Sequence, residues 1–254
     1  MSEPGDAVGG MTERLLDDAG IGPGMRVLDL GCGRGEVTRM IARRVGASGQ
    51  VVGVDRDAGI LEVARARTPE MPCIMYRDGD ICALPHDIGM FHAVFGRRVL
   101  MYQADAVGAV RRLTEVIHPG GITVFHEHDT SMVPVSLTKM PLHERVHHWI
   151  WQTVEREGAD LRMGLRLSSV LEAAGLVVEH VRAEAVVQTL RDRHHTAAIV
   201  RAILPRMVQR GVTTPEEVDV ESLDARLLAE LQAPGAVFIG DVVFGAWGRR
   251  GPLA

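Results

Sequence analysis

The chain has 254 residues, 46% hydrophobic and 24% charged, with a formal net charge of −5 at pH 7. This is the balance of an ordinary globular protein with room for a full core, and its acidity argues against broad, non-specific attraction to nucleic acid. Cys32, Cys73 and Cys82 fall at no zinc or redox spacing, the opening MSEPGDAVGG lacks a signal-peptide pattern, and no apolar run is long enough for a bilayer, so a cytoplasmic protein with reduced thiols and no membrane partner is expected.

The elements alternate along the first half. Residues 8–20 have helical spacing and stop at Gly20. Met25–Leu30 is a short apolar run between turn signals, hence a buried strand. Glu36–Val45 is helical and stops at Gly46, Gln50–Val54 is a valine-rich strand, Ala58–Ala66 a helix and Pro72–Tyr76 a third strand. Phe91–Phe95, a helix over Asp105–Ile117, and Ile122–His126 after the Pro119-Gly120-Gly121 turn complete the series. Such alternation predicts an α/β fold: a Rossmann-like, doubly wound sheet, mostly parallel, with helices on both faces.

The second half departs from this rhythm. Pro141–Glu157 and Leu165–Ala174 read as helices, Leu176–Gln188 as a long strand, His194–Gln209 and Pro215–Leu231 as helices, and Ala236–Trp247 as an antiparallel last strand. With no internal repeat or linker, one domain over 1–254 is expected, with helical cap insertions at about 134–160 and 192–232.

The sharpest local signal is Val27-Leu28-Asp29-Leu30-Gly31-Cys32-Gly33-Arg34-Gly35. A strand that ends in alternate glycines has cleared side chains from a backbone meant to approach a ligand. The dinucleotide fingerprint G-x-G-x-x-G would need glycine at position 36, where this chain has Glu36, which argues against nicotinamide and flavin cofactors. Asp29 would repel a pyrophosphate but could orient a cationic amine. Asp55 closes the second strand about twenty residues past the last glycine, where an acid can accept both ribose hydroxyls. Taken singly, either acid could be an ordinary turn residue.

Met25–Gly35, Gly49–Asp55, Asp78-Gly79-Asp80-Ile81, Gly96–Tyr102 and Pro119-Gly120-Gly121 together resemble the class I S-adenosylmethionine-dependent methyltransferases, in particular bacterial small-molecule enzymes of the secondary-metabolite type. The resemblance runs almost end to end. It implies S-adenosyl-L-methionine as cofactor, held by Asp29, Gly31, Gly33 and Gly35 at the glycine turn and by Asp55 at the ribose, with Arg56 a further cofactor-binding residue. Asp80 and Ile81 would hold the adenine, with Asp78 competing for that role, and Gly96 and Arg97 would close over the cofactor. One departure stands out: the family commonly has an acid after the first residue of the fourth strand, and here Phe91 is followed by His92.

Methyl transfer to a protonated nucleophile gains from a base. His126-Glu127-His128-Asp129 follows the fifth strand, with His126 and His128 on one strand face; either could be a base or a hydrogen-bonded wall residue, and H-x-H with an acid could hold a metal, although no third ligand is placed and no metal is expected. His143, His147 and Trp151 recur every four residues and share a helix face. They form either an aromatic acceptor wall with a further base, His147, or the packing face of an amphipathic helix. The reading is a methyltransferase acting on O, N or C of a small, aromatic or apolar metabolite. An RNA or protein methyltransferase and a non-catalytic cofactor-binding protein remain the alternatives, and the oligomeric state, homodimer included, stays open.

Overall fold

A computed structural model of the chain describes residues 7–132, 134–192 and 195–251. In chain order the elements are α1 (Ala7–Asp18), β1 (Arg26–Leu30), α2 (Glu36–Val45), β2 (Gln50–Asp55), α3 (Ala58–Ala66), β3 (Ile74–Asp78), β4 (Phe91–Arg97), α4 (Ala106–Leu113), β5 (Ile117–Asp129), β6 (Val135–Ser136), α5 (Pro141–Arg156), α6 (Met163–Ala173), β7 (Leu176–Gln188), α7 (Thr196–Gln209), α8 (Pro215–Val218), α9 (Val220–Leu231) and β8 (Phe238–Arg250). Contacts divide them into two compact units. Of the described residues, a sheet unit comprises Thr12–Glu127, Met163–Arg182 and 244–251; a helical unit comprises 7–11, His128–Arg162 and Ala183–Val243.

In the sheet unit the strands run in the order β3-β2-β1-β4-β5-β8, parallel from β3 to β5, with β8 antiparallel beside β5. The chain winds outward from β1 in one direction and then, from β4, in the other. The order therefore reverses between β1 and β4, and the carboxyl ends of strands at such a switch point open a crevice. The strands are buried and apolar, as a sheet covered by helices requires: Val27, Val51, Phe95, Ile122 and Val124 pack with Leu15 and Leu16 of α1, Ile41 and Val45 of α2, and Trp247. Asp57 starts α3 by accepting the Gly59 and Ile60 N–H groups at 2.9 and 3.1 Å, and Asp105 starts α4 by accepting the Gly108 N–H at 2.8 Å.

The helical unit has its own core, in which Val146 and Trp149 of α5 meet Val200 and Met207 of α7 and Leu223 and Leu227 of α9. The expected insertions at about 134–160 and 192–232 fall in this unit; the expected helix start at His194 lies outside the described residues.

Most element ends shift by a few residues from the sequence reading, the third strand from Pro72–Tyr76 to Ile74–Asp78 among them, and three differences change the elements themselves. The helix expected over Asp105–Ile117 ends at Leu113 and tightens into a 3₁₀ turn over Thr114–Val116. The fifth strand begins at Ile117, so Pro119-Gly120-Gly121 is an irregularity inside β5 rather than a turn before it: Phe91 pairs with Ile117, yet Ala93 pairs with Ile122. A Cβ at Gly121 would lie 2.5 Å from the Ile117 side chain and 2.9 Å from the His92 carbonyl, so glycine is what lets the extra residues fold against β4. Finally, Pro215–Leu231 is two helices, broken at Asp219, whose φ of 45° is left-handed.

Candidate cofactor site and histidine cluster

The carboxyl end of β1 carries the glycine turn. Gly31, Gly33 and Gly35 have φ of 60°, 52° and 75°, a region L side chains rarely enter. Their surroundings differ. A Cβ at Gly35 would fall 2.3 Å from the Tyr76 hydroxyl, whereas at Gly33 nothing lies within 4 Å. Gly35 therefore serves packing and the start of α2, and Gly33 keeps an open backbone face. Asp55, at the end of β2, accepts the Gly33 N–H at 2.9 Å and the Asp57 N–H at 3.1 Å. One acid thus ties the turn to the neighbouring strand end, as the fixed separation of turn and acid suggests. The thiol between the glycines, Cys32, is buried, and its pKa is raised by that burial, so it is held as an unreactive thiol.

Asp29 is only 2% exposed. It accepts a 2.5 Å bond from the Thr38 hydroxyl of α2, and burial pushes its carboxyl up to about 7, against the lowering pull of Thr38 and Arg97. A desolvated carboxyl beside an open glycine turn suits a cationic amine, the role the resemblance gives it. Arg56 is exposed beyond Asp55. Gly79 N–H bonds to the Asp55 carbonyl at 3.1 Å, which sets the Asp78-Gly79-Asp80-Ile81 segment beside the end of β2. Asp80 accepts the Cys82 N–H at 2.8 Å, Ile81 is buried and Asp78 is exposed.

At the end of β4, Gly96 allows Phe125 to pack close, since a Cβ there would lie 2.7 Å from its ring. Arg97 forms a 2.6 Å ion pair with Glu36, the first residue of α2, and reaches Thr12 Oγ1 at 3.3 Å. Thr12 Oγ1 is in turn 3.1 Å from His126 Nδ1. His126, 2% exposed, is thus part of a bonded network running from α2 to β5. Glu127 accepts the Val99 and Leu100 N–H groups at 2.8 and 2.7 Å and so pins the segment after β4; its own burial raises its carboxyl to about 7. His92, where the family commonly has an acid, accepts the Arg26 N–H at 2.9 Å through Nδ1.

Within the helical unit α5 has two working faces. Val146 and Trp149 enter the apolar core. His143, His147 and Trp151 form the other face: His143 and His147 lie 5.1 and 6.4 Å from the Phe238 ring of β8, and Trp151 lies 6.3 Å from His147 and 5.2 Å from His128, ring centre to ring centre. His128 Nδ1 is 2.6 Å from Asp241 Oδ2. His143 Nδ1 is 2.7 Å from Glu230, which also accepts the Leu142 and His143 N–H groups. Among the described residues no three His, Cys, Asp or Glu side chains gather as metal ligands, and no helix is long and apolar enough to cross a membrane.

Thr38, Glu36 as the partner of Arg97, and Asp241 are what sequence reasoning missed; Glu127 stood in the quartet it singled out, but not as the acceptor of the Val99 and Leu100 amides. Thr38 and Glu36 lie in the first turn of a helix that follows the glycines, a place worth searching for partners. Asp241, 113 residues from His128, has no local signal.

A parallel β3-β2-β1-β4-β5 order, a glycine turn after β1 and an acid closing β2 define the frame of the class I S-adenosylmethionine-dependent methyltransferases. Residues 27–121 match the family described as a methyltransferase domain. Among curated proteins, an uncharacterized 37.1 kDa protein in transposon Tn4556 of Streptomyces fradiae is 30% identical over 176 residues, covering 69% of this chain and 50% of that protein. Demethylmenaquinone methyltransferase of Staphylococcus aureus is 32% identical over 126 residues, 48% of this chain and 51% of that protein. The chain spans about half the length of the curated relatives it matches. In fold it is similar to a geranyl diphosphate methyltransferase solved in complex with S-adenosylmethionine, with a TM-score of 0.58 at 19% identity over 95% of this chain and 85% of that one. Over residues 27–121 the chain is thus similar to methyltransferase domains, and its fold is that of methyltransferases that bind S-adenosylmethionine.

Proposed function

We propose that this protein methylates an O, N or C atom of a small, flat or apolar metabolite, in the cytoplasm and within secondary metabolism, with a histidine as base. The observation that carries the reading is the glycine turn: an open backbone face at Gly33, tied by Asp55 and flanked by a buried, proton-holding Asp29. The acceptors in the relatives' names, demethylmenaquinone and geranyl diphosphate, each carry a large apolar part. The histidine and tryptophan face of α5 suits such a molecule.

In this reading S-adenosylmethionine supplies a sulfonium methyl that is already electrophilic. The protein has to hold it, align the acceptor in line with the sulfur–methyl bond and exclude water. Asp29, backed by Thr38, takes the amine; Gly31 and Gly33 give the close backbone approach; Asp55 and Arg56 meet the ribose; Asp80 and Ile81 meet the adenine. Gly96 and Arg97 close the far side, with Arg97 fixed by Glu36. His126, His128 and His147 are the base candidates, and the insertions at about 134–160 and 192–232 supply the acceptor-recognising side chains.

Calorimetry tests the first half. The cofactor and its demethylated product should bind, and Asp55→Ala should weaken both by about tenfold or more, since it removes the ribose acceptor and the bond to Gly33. No binding at millimolar cofactor would end the reading. A panel of phenols, quinols, amines and activated carbon acids with labelled methyl donor tests the second half. His126→Ala and His128→Ala should each lower turnover more than cofactor affinity if they act in the chemistry; unchanged turnover makes them wall residues.

A further inference from the structure

The helical unit contains two histidine–carboxylate pairs, and they differ in what else they do. Glu230 accepts His143 Nδ1 together with the first two N–H groups of α5. Its place is explained by the helix start, whose amides need acceptors. The His128–Asp241 pair joins the end of β5 to β8 across 113 residues and is close to fully buried, with side-chain exposures of 8% and 13%. Burying an ionisable pair costs desolvation energy that an apolar pair of similar size would not. Its surroundings are aromatic. The Trp151 ring stands 5.2 Å from the imidazole of His128. His147 lies 6.3 Å from that tryptophan, ring centre to ring centre, is held towards its neutral form by burial, and has its Nε2 buried and unpartnered among the described residues.

We propose that Asp241 is a positioning residue for His128: it accepts the Nδ1–H, fixes that tautomer, and leaves Nε2 as the lone pair that receives the acceptor's proton. This rests on the methyltransferase reading above and adds to it the residue that selects the base. A neutral imidazole has one donor and one acceptor nitrogen, and the partner of the first decides the orientation and availability of the second. In the reaction the acceptor's bond to hydrogen breaks and its electron pair forms the new bond to the methyl carbon. The sulfur–methyl electron pair returns to sulfur, which becomes a neutral thioether, and the proton moves to His128 Nε2. The imidazolium so formed is stabilised by the Asp241 carboxylate, and the proton then passes to water. The Trp151 ring, 5.2 Å from the imidazole centre, adds an aromatic neighbour that suits an aromatic or conjugated acceptor.

The experiment is nitrogen NMR of His128 in the full-length protein near neutral pH, assigned by its loss in His128→Ala and compared with Asp241→Asn and Asp241→Glu. The Nδ1–H tautomer is expected in the parent, and Asp241→Asn should lose that preference. With an acceptor found in the labelled-methyl panel, Asp241→Asn should lower kcat by about 10²-fold, the size of a general-base contribution, while cofactor affinity holds and Asp241→Glu recovers part of the rate. An Nε2–H or imidazolium His128 in the parent, a tautomer indifferent to Asp241→Asn, or an unchanged kcat in that variant overturns the proposal. The tautomer measurement needs no acceptor. A parent protein that binds cofactor, methylates nothing and keeps the Nδ1–H tautomer therefore sinks the reaction and not the pairing.

Discussion

Replacing Asp29 by asparagine isolates the electrostatics of the cofactor turn. The carboxyl is buried, bonded to the Thr38 hydroxyl, and raised from 3.8 to about 7. In the unfolded chain it loses its proton near its ordinary value, whereas the native protein keeps the proton until about 7. Between these values the native state binds more protons than the unfolded one, so this group's contribution to stability is intact below about pH 4 and is lost as pH rises through about 7. A shift of about three units corresponds to about 4 kcal/mol over the full window. Asparagine keeps an oxygen for Thr38 and cannot titrate. Chemical denaturation of parent and Asp29→Asn from about pH 4 to about pH 8 should therefore give a stability difference that moves by about 4 kcal/mol in favour of the variant. The buried Glu127 is common to both proteins and cancels. A cation bound at the turn favours the ionised carboxyl, so cofactor should recover part of the loss in the parent and none in the variant. A stability difference that does not change with pH would refute the argument that Asp29 is a desolvated, protonated acid.

Other outcomes follow from neighbouring geometry. Gly35→Ala puts a Cβ 2.3 Å from the Tyr76 hydroxyl at a φ of 75° and should cost about 2–4 kcal/mol in thermal unfolding. Gly33→Ala meets no atom within 4 Å and should cost only about 1–2 kcal/mol of backbone strain while cofactor affinity falls sharply; calorimetry of the two variants separates packing from ligand approach. Trp149→Ala, which empties the core between α5, α7 and α9, should lose about 3–5 kcal/mol. Trp151→Ala should leave stability nearly intact and raise KM for a flat acceptor. Glu127→Gln keeps an acceptor for the Val99 and Leu100 amides and removes a carboxyl held at about 7, so its stability should vary less with pH than the parent's, in the same direction as for Asp29→Asn.

The frame of the cofactor site was open to reading because its signals are local. Apolar runs, glycine punctuation and the separation of turn and acid sit within about thirty residues and survive without knowledge of the rest of the chain. The same logic failed where one residue serves two elements. Pro119-Gly120-Gly121 reads as a turn, but the approach of His92 and Ile117 draws it into β5. Pro215–Leu231 reads as one helix, but Asp219 turns the backbone left-handed and splits it.

The amino-acid sequence by itself determined the sheet, the glycine turn and the places of Asp29 and Asp55, because backbone conformation and hydrophobic period are encoded residue by residue. Only the tertiary structure decided the partners: Thr38 on Asp29, Glu36 on Arg97, Thr12 on His126 and Asp241 on His128. A histidine's chemistry depends on which group its other nitrogen meets, and that group arrives here from strands and helices whose spacing along the chain carries no trace of the meeting.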